Sequence, residues 1–445
     1  MTISRVRAGI ALAVLSSTYL LSYMDRTVLS VLQEDIKREF GLSDTQLGLL
    51  GGPAFAFLYS LTGVGIARMA ERVNRGRLIA VCVAAWSLMT ALCGVAQTYW
   101  QLLLARAGVS IGEAGGNPSS HSLIADLYPP QHRARAISIY TIGVPLGAFL
   151  GAAMGGLLNK WYDWRTTFLI LGAIGAVFSI AALLLIPRVP RGSYDPEPLQ
   201  GDEPPGTMDV LRVLRASPVF IHLATGSALV VLVGYSVPAF LASFMTRVHG
   251  LGKAEAGLAV GIVNGGGGLV GVLLAGFIAD WLGRKDPRWH GWMPGVAMLI
   301  AVPAQVVALL WGDPVWAVFG LTVGMALMFT YIPPSFAQIH AMVNARMRAT
   351  AASVFYLVVN LVGMGLGPPL VGWISDRLAA RAMGADWAAC ADPATIGTLA
   401  QRCGAAQAEG LRYALVAICF SLVWAAYHYW RAGLHIGARH REKLG

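Results

Sequence analysis

Charge is what this chain has least of. Asp, Glu, Lys and Arg make up 13% of its 445 residues, against 56% hydrophobic residues. A soluble domain carries about 25% charged residues, so an ordinary water-soluble surface is excluded and bilayer becomes the solvent. Cysteine is scarce too, with five in the chain, and no set of Cys, His and carboxylate residues has metal-ligand spacing. No P-loop and no Gly-x-Ser-x-Gly occurs. No metal, cofactor or nucleotide is therefore expected, a nucleotide-driven pump is excluded, and nothing points to an enzyme. Long polar sequence is also missing. Despite a net charge of +10, there is no basic soluble domain to hold nucleic acid.

The chain offers instead a series of apolar runs, each near the roughly 20 residues that a spanning helix needs. About twelve are read, at roughly 8–32, 45–69, 78–96, 100–127, 134–158, 165–187, 216–247, 254–281, 293–311, 315–343, 349–374 and 411–432, with ends good to about 2–4 residues. Most of the 33 Lys and Arg fall in short loops on one face. Among them are Arg5, Arg7, Arg72, Arg75, Arg77, Arg133, Arg135, Arg284, Lys285, Arg346 and Arg348, and the tail residues Arg431, Arg439, Arg441 and Lys443. This positive-inside bias puts both termini in the cytoplasm; in a bacterium the membrane would be the inner one. The two Arg residues and apolar stretch at the N-terminus resemble a signal peptide. The stretch is long, lacks a clear small-x-small site and runs into Asp25–Arg26, so an uncleaved first span is expected.

Residues 188–215 break the pattern. They are rich in Pro, Gly and charge and read as a cytoplasmic linker with little packed structure, ending in a short amphipathic helix at 208–215. The expected division is 1–187, a six-helix bundle; 188–215, the linker; and 216–445, a second six-helix bundle with a cytoplasmic tail. The halves echo each other at an offset of about 210–220 residues, a parallel duplication of a kind known among transporters. MAERVNRGR (69–77) answers to IADWLGRK (278–285), and RAR (133–135) to RMR (346–348). Span 5 holds Gly143, Pro145, Gly147, Gly151 and Gly155; span 11 holds Gly363, Gly365, Gly367, Pro368, Pro369 and Gly372. Cys82, Cys93 and Cys419 read as small buried hydrophobes. Cys390 and Cys403 share the longest outside loop, 375–410, where a disulfide is permitted if that side is oxidising.

The candidate mechanism lies in four ionisable residues set in hydrocarbon, where such groups are costly and usually mark a substrate or proton path. Asp25 and Arg26 sit near the outer end of span 1, Arg106 and Glu113 within span 4. At ~1.5 Å per residue, Asp25 and Arg106 lie at matching depth. Arg106 and Glu113 share one face of their helix, and Arg26 can reach between them. One reading makes the set a proton-coupling device, Asp25 or Glu113 taking the proton and Arg26 or Arg106 binding an anionic group. The other makes it a structural staple between spans 1 and 4. A second candidate is a cytoplasmic latch, in which Glu71 faces the start of span 11 (Arg346, Arg348) and Asp280 the start of span 5 (Arg133, Arg135), with Arg72 and Arg284 counted in the same gate. The alternative is that these arginines only set topology. Gly265–Gly268 in span 8 and the glycines of span 5 read as close packing of spans 5 and 8, with a hinge as the sharper reading. Gly112, Gly115, Gly116 and Pro118 predict a weak, bent span 4. Lone polar residues such as His121, His222, Asn264 and Gln305 read as satisfied interhelical hydrogen-bonders.

The segment G276-FIA-D280-WLGRK resembles the cytoplasmic loop signature of the major facilitator superfamily. The first-half copy departs from it at Ala67, Glu71 and Asn74. The string R106-AGVSIG-E113-A114, with YMDR (23–26), looks like the Spinster-like branch. The resemblance implies twelve transmembrane helices in two pseudo-symmetric bundles, alternating access, proton-linked gating at the matching acid and Arg positions, and a monomer. It also implies lysolipid or sphingolipid-phosphate export in some members, of which only a lipid-like or amphipathic organic anion is carried over. The spans of the second half lack mid-depth charge but offer Tyr235, Phe329, Tyr331, Tyr356 and Asn360. A cavity charged on one wall and aromatic on the other suits an amphiphile, although each aromatic singly fits a lipid-facing or packing role. A transporter of drugs, sugar acids or other organic anions shares every feature; a membrane receptor or enzyme lacks the catalytic set or soluble domain it needs.

Overall fold

The structure, a computed structural model, describes residues 4–70, 72–190, 193, 207–343, 347–391 and 395–442. The apolar runs fold as helices whose ends are set by small polar and glycine residues. The first helix, α1 (Arg5–Phe40), starts on the Ser4 hydroxyl, which accepts from the Arg7 amide at 3.4 Å, and stops at Gly41, where φ is 61°. Only glycine adopts such a left-handed backbone without cost. There follow α2 (Asp44–Gly51), α3 (Pro53–Ala70), α4 (Arg75–Val95), α5 (Tyr99–Ala114), α6 (Gly116–Leu127), α7 (Pro130–Thr141), α8 (Gly143–Trp161) and α9 (Trp164–Leu185). After the linker come α10 (Thr207–Arg215), α11 (Pro218–His249), α12 (Lys253–Gly261), α13 (Gly267–Lys285), α14 (Trp289–Leu310), α15 (Pro314–Phe329), α16 (Ile332–Met342), α17 (Arg348–Met383), α18 (Gly397–Cys419) and α19 (Ser421–Glu442). A π-helical turn, Ile262–Gly266, joins α12 to α13.

Among the described residues ten helices are long and apolar enough to cross a membrane. The spans interrupted as α2–α3 and α5–α6 complete the twelve. The fold is that of an all-α, twelve-span membrane protein. Several helices outrun their apolar stretch: α1 continues to Phe40 and α17 to Met383, carrying polar residues that the sequence reading left in loops.

The chain folds into two compact units. The first comprises Met1–Leu42, Leu49–Gln200 and Gly252–Gly261; the second comprises Ser43–Gly48, Gly201–Leu251 and Ile262–Gly445. In the first unit α1 packs on α8 and α9, α4 on α9 and α5, and α12 on α8. The span-5 glycines mostly serve α1, not span 8 as expected. Gly143 and Gly147 face Leu20, Gly151 faces Met24, and Gly155 faces Val28. Span 8 meets span 5 through a different glycine pair, Gly156 and Gly257, whose backbones approach so closely that neither has room for a Cβ. Small residues thus seat α1 on one face of α8, while Phe149, Ala152 and Gly156 meet α12 on another.

In the second unit α11 packs on α17 and α19, α14 on α15 and α19, and α17 on α18. The amphipathic helix expected at 208–215 is α10. Its Val210 and Leu214 are fully buried in a cluster with Phe220, Ile339 and Phe355. Cys390 and Cys403 form a disulfide, with Cα atoms 5.4 Å apart. It ties the 3₁₀ turn Gly384–Ala391 to α18.

Candidate functional site

The four membrane-embedded charges lie in the first unit. Asp25, Arg106 and Glu113 are all at least 95% buried. Arg26 Nε donates to Glu113 Oε2 at 2.6 Å, and Ser22 Oγ donates to the same oxygen at 2.9 Å. Ser22 and Arg26 are one turn apart on α1, so both reach one acceptor. The second carboxylate oxygen, Oε1, is buried with no hydrogen-bond donor among the described residues. Arg26 is also sandwiched by aromatic faces, its guanidinium carbon lying 4.8 Å from the Tyr59 ring centre, 4.9 Å from Phe55 and 5.1 Å from Tyr23. Ring faces attract a cation most strongly where water is excluded.

Asp25 and Arg106 meet differently from the expected contact of charged groups. Arg106 reaches the main-chain carbonyl of Asp25 at 3.4 Å and lies over Phe55; its Nε finds no acceptor among the described residues. The Asp25 carboxylate instead accepts from Thr90 Oγ1 of α4 at 2.9 Å. A neutral hydroxyl stabilises a carboxylate less than a guanidinium does. Thr90 carried no sequence signal, because a lone Thr in an apolar span fits many roles.

Span 4 breaks directly after Glu113. α5 ends at Ala114, Gly115 forms the junction, and α6 begins at Gly116 with Pro118 in its first turn, which is where the Gly and Pro residues weaken the helix. Beside the break is a small pocket lined by Glu113, Ser22, Tyr19, Asn117, Ser120 and Tyr140, among others. Tyr19 and Tyr140 stack at 4.5 Å, and Tyr140 Oη bonds Asn117 Oδ1 at 3.2 Å. The acid of the set therefore opens onto hydroxyl, amide and ring groups.

The second-unit candidates form a looser group. Tyr235, Tyr331 and Phe336 pack against the cluster around Phe355. Tyr356, half exposed, lies 4.9 Å from the Phe336 ring. Phe329 is half-buried beside Gly268, and Asn360 is half-buried on α17. Of the latch candidates, Glu71 and Arg346 lie outside the described residues. Arg72, Arg135, Asp280, Arg284 and Arg348 are exposed, and Arg133 donates to the Ala125 carbonyl at 2.8 Å. Gln305 satisfies the reading of lone polar residues, bonding Met328 Sδ and Cys419 Sγ. Asn264 does not: its Oδ1 is buried without a partner among the described residues.

Two buried ion pairs lay outside the expected set. Arg75 pairs with Asp126 and donates to Ser122 Oγ at 2.9 Å and to the Val189 carbonyl at 3.2 Å. Arg247 pairs with Asp44 inside the second unit. Arg75 was legible only as a loop charge, and Arg247 only as the last residue of the apolar run 216–247.

Buried charges beside a small polar-lined pocket, set in apolar spanning helices, fit a membrane transporter. Residues 15–368 match the Major Facilitator Superfamily. An MFS-type efflux pump of Mycolicibacterium smegmatis is 37% identical over 372 residues, covering 84% of this chain and 85% of that protein. Human protein spinster homolog 1 is 27% identical over 394 residues, covering 84% and 74%. The crystal structure of a bacterial homolog of the human lysosomal transporter Spinster, in an inward-facing and unoccupied conformation, superposes with a TM-score of 0.90. It is 35% identical, with 98% of each chain covered. The chain belongs to the major facilitator superfamily and is a multi-pass integral membrane transporter, not an enzyme. Within that superfamily it falls in the Spinster-like branch.

Proposed function

We propose that this protein is a proton-coupled secondary transporter of an amphipathic, lipid-like or organic-anion substrate, working by alternating access. The observation that carries the reading is the state of Glu113. Its carboxylate is buried, one oxygen is shared by Arg26 and Ser22, and the other has no donor among the described residues. Protonating Glu113 supplies a hydroxyl at the site and weakens its hold on Arg26, which is then available to an anionic headgroup. Asp25, held by Thr90, is the second acceptor, and Arg106 is the second cation. Tyr235, Phe329, Tyr331, Tyr356 and Asn360 are assigned to the apolar part of the substrate. Glu71, Arg72, Arg133, Arg135, Asp280, Arg284, Arg346 and Arg348 are assigned to the cytoplasmic gate. The loop charges support cytoplasmic termini, and with them the inner membrane of a bacterium. The six-helix bundles 1–187 and 216–445, joined by 188–215, are taken as the moving parts of a monomer.

Purified protein in proteoliposomes, given a panel of lysolipids, organic anions and cationic drugs with and without an imposed pH gradient, tests this. Gradient-driven movement of an anionic amphiphile, lost in Glu113→Gln while the variant still reconstitutes as a monodisperse protein, is the expected result. Wild-type rates in Glu113→Gln would overturn it. A drug-efflux reading is favoured by one observation, the Mycolicibacterium smegmatis relative named as an efflux pump; in the same panel it predicts movement of the drugs in place of the lysolipids.

A further inference from the structure

The two carboxylate oxygens of Glu113 have different surroundings. Oε2 accepts from Arg26 Nε at 2.6 Å and from Ser22 Oγ at 2.9 Å. Oε1 is buried and accepts from no donor among the described residues. A buried carboxylate oxygen without a donor is costly, so Oε1 calls for a partner. Glu113 also lines the small cavity beside the break in span 4. The cavity is walled by α1, α3, α4, α5, α6 and α7, all of the first unit.

The volume of that cavity open to water is about 10 Å³, about the room one water molecule needs. A buried water also needs two to four polar partners, and cavities that stay dry are apolar. This lining is polar: Ser22, Asn117, Ser120 and Tyr19 contribute to it along with Glu113. Asn117 follows Glu113 by four residues, across the break at Gly115. Its Oδ1 accepts from Tyr140 Oη at 3.2 Å, which leaves Nδ2 to donate elsewhere. Tyr140 is in turn held firmly. It is 1% exposed, and its ring stacks on Tyr19 at 4.5 Å with 2° between the planes. The cavity thus combines an acceptor that lacks a donor with an amide whose carbonyl is already engaged.

We propose that this cavity binds a single water between Glu113 Oε1 and the Asn117 amide, and, on the proton-coupling reading of Glu113 on which this rests, that the water delivers the proton to Oε1. While Glu113 is ionised, the water donates to Oε1 and accepts from Asn117 Nδ2. An excess proton from the aqueous gradient turns the water into a hydronium ion. One O–H bond then breaks on the hydronium, one forms on Oε1, and a neutral water remains to accept from the new carboxyl group. Oε2 is the poorer landing site, because two donors already point at it. Asn117 and Tyr140 keep their own protons throughout and act as positioning residues, Asn117 on the water and Tyr140 on Asn117.

Infrared difference spectra between neutral and acid pH, taken in lipid nanodiscs in ordinary water and in water of the heavy oxygen isotope, read both groups. The wild-type protein should show a carboxyl band that is absent in Glu113→Gln. It should also show an O–H stretching band of a bound water that the heavy isotope displaces. Asn117→Leu, close to Asn in size, should keep the carboxyl band, lose the water band and gain its proton more slowly after a rapid drop in pH. Tyr140→Phe, which removes the hydroxyl and keeps the ring, should shift the water band. A Glu113 carboxyl band with no isotope-sensitive water band in the wild-type protein overturns the water site, whether or not any variant folds. So does a water band that Asn117→Leu leaves unchanged. An unchanged rate of protonation in Asn117→Leu overturns the delivery step. Absence of the Glu113 carboxyl band overturns the proton-coupling reading, and the delivery step with it, so the band that is missing tells the two failures apart.

Discussion

Arg247 grips Asp44 with both arms of its guanidinium, at 2.9 and 2.8 Å, although 203 residues separate them. The side chains are 8% and 1% exposed. Ser375 Oγ donates to the same carboxylate at 2.7 Å, while the amides of Asp44 and Thr45 are taken by Asp376, each at 2.9 Å. The first turn of α2 is thus clasped within the second unit by a pair and a cap. Asp376 satisfies two of the amides that a helix start leaves unbonded.

Asp44→Ala removes one partner and leaves a buried guanidinium uncompensated, a change that costs about 3–5 kcal/mol in comparable pairs. The double variant Asp44→Ala/Arg247→Ala should lose much less than the sum of the single losses, since the stranded charge has gone as well. Thermal unfolding of the detergent-solubilised protein gives both numbers. Additive losses would mean the pair does not hold the turn.

The twelve spans and the charged set were legible because bilayer punishes charge: a carboxylate or guanidinium within an apolar run stands out without any knowledge of its partners. The spacing that lets Arg26 reach Glu113 follows from helix geometry, and so does the break after Glu113 from Gly115, Gly116 and Pro118. Asp44, Arg247 and Asp376 were illegible for the opposite reason. They lie at or just past the ends of the apolar runs that form α2, α11 and α17, where a charge draws no notice, and only folding brings them together. Arg75 misleads in the same way. Counted as a loop cation, it is the buried first residue of α4, with its partner on α6. The span-5 glycines were read correctly as packing residues, but periodicity cannot say which neighbour they pack against.

A pH effect on stability should come from Asp163, at the exposed junction of α8 and α9. Its carboxylate accepts from the Thr166 amide at 2.6 Å as the N-cap of α9. That backbone hydrogen bond, with further help from the Thr166 side chain, holds its pKa below the ordinary carboxylate value. A carboxyl lowered by folding stabilises at pH above its unfolded value and loses that contribution as pH falls through its folded value. Asp163→Ala, which removes the cap, should cost about 0.5–2 kcal/mol at neutral pH. The gap between it and the parent protein should narrow as the buffer is taken down through the acid range below pH ~4. Melting curves of the two proteins across that range decide the point; a gap that widens on acidification contradicts the assigned role.

Arg75 supplies the sharpest distinction between a charge and a shape. Besides Asp126 it donates to Ser122 Oγ, to the Ser122 carbonyl at 3.2 Å and to the Val189 carbonyl at 3.2 Å, and its side chain is 6% exposed. A guanidinium spreads its donors over a rigid plane and can meet α6 and the chain after α9 at once. An ammonium presents a compact point of charge on a flexible stem and reaches fewer of these acceptors. Arg75→Lys keeps the positive charge for topology and for Asp126, but gives up hydrogen bonds to at least one part-buried carbonyl, a loss of about 1 kcal/mol. If Arg75 acted only through its charge, as the loop reading supposed, Arg75→Lys would melt with the parent protein and only a neutral substitution would fail. The structure predicts the reverse for the first of these: a lowered melting temperature in Arg75→Lys at unchanged membrane orientation, read by cysteine accessibility from the two sides.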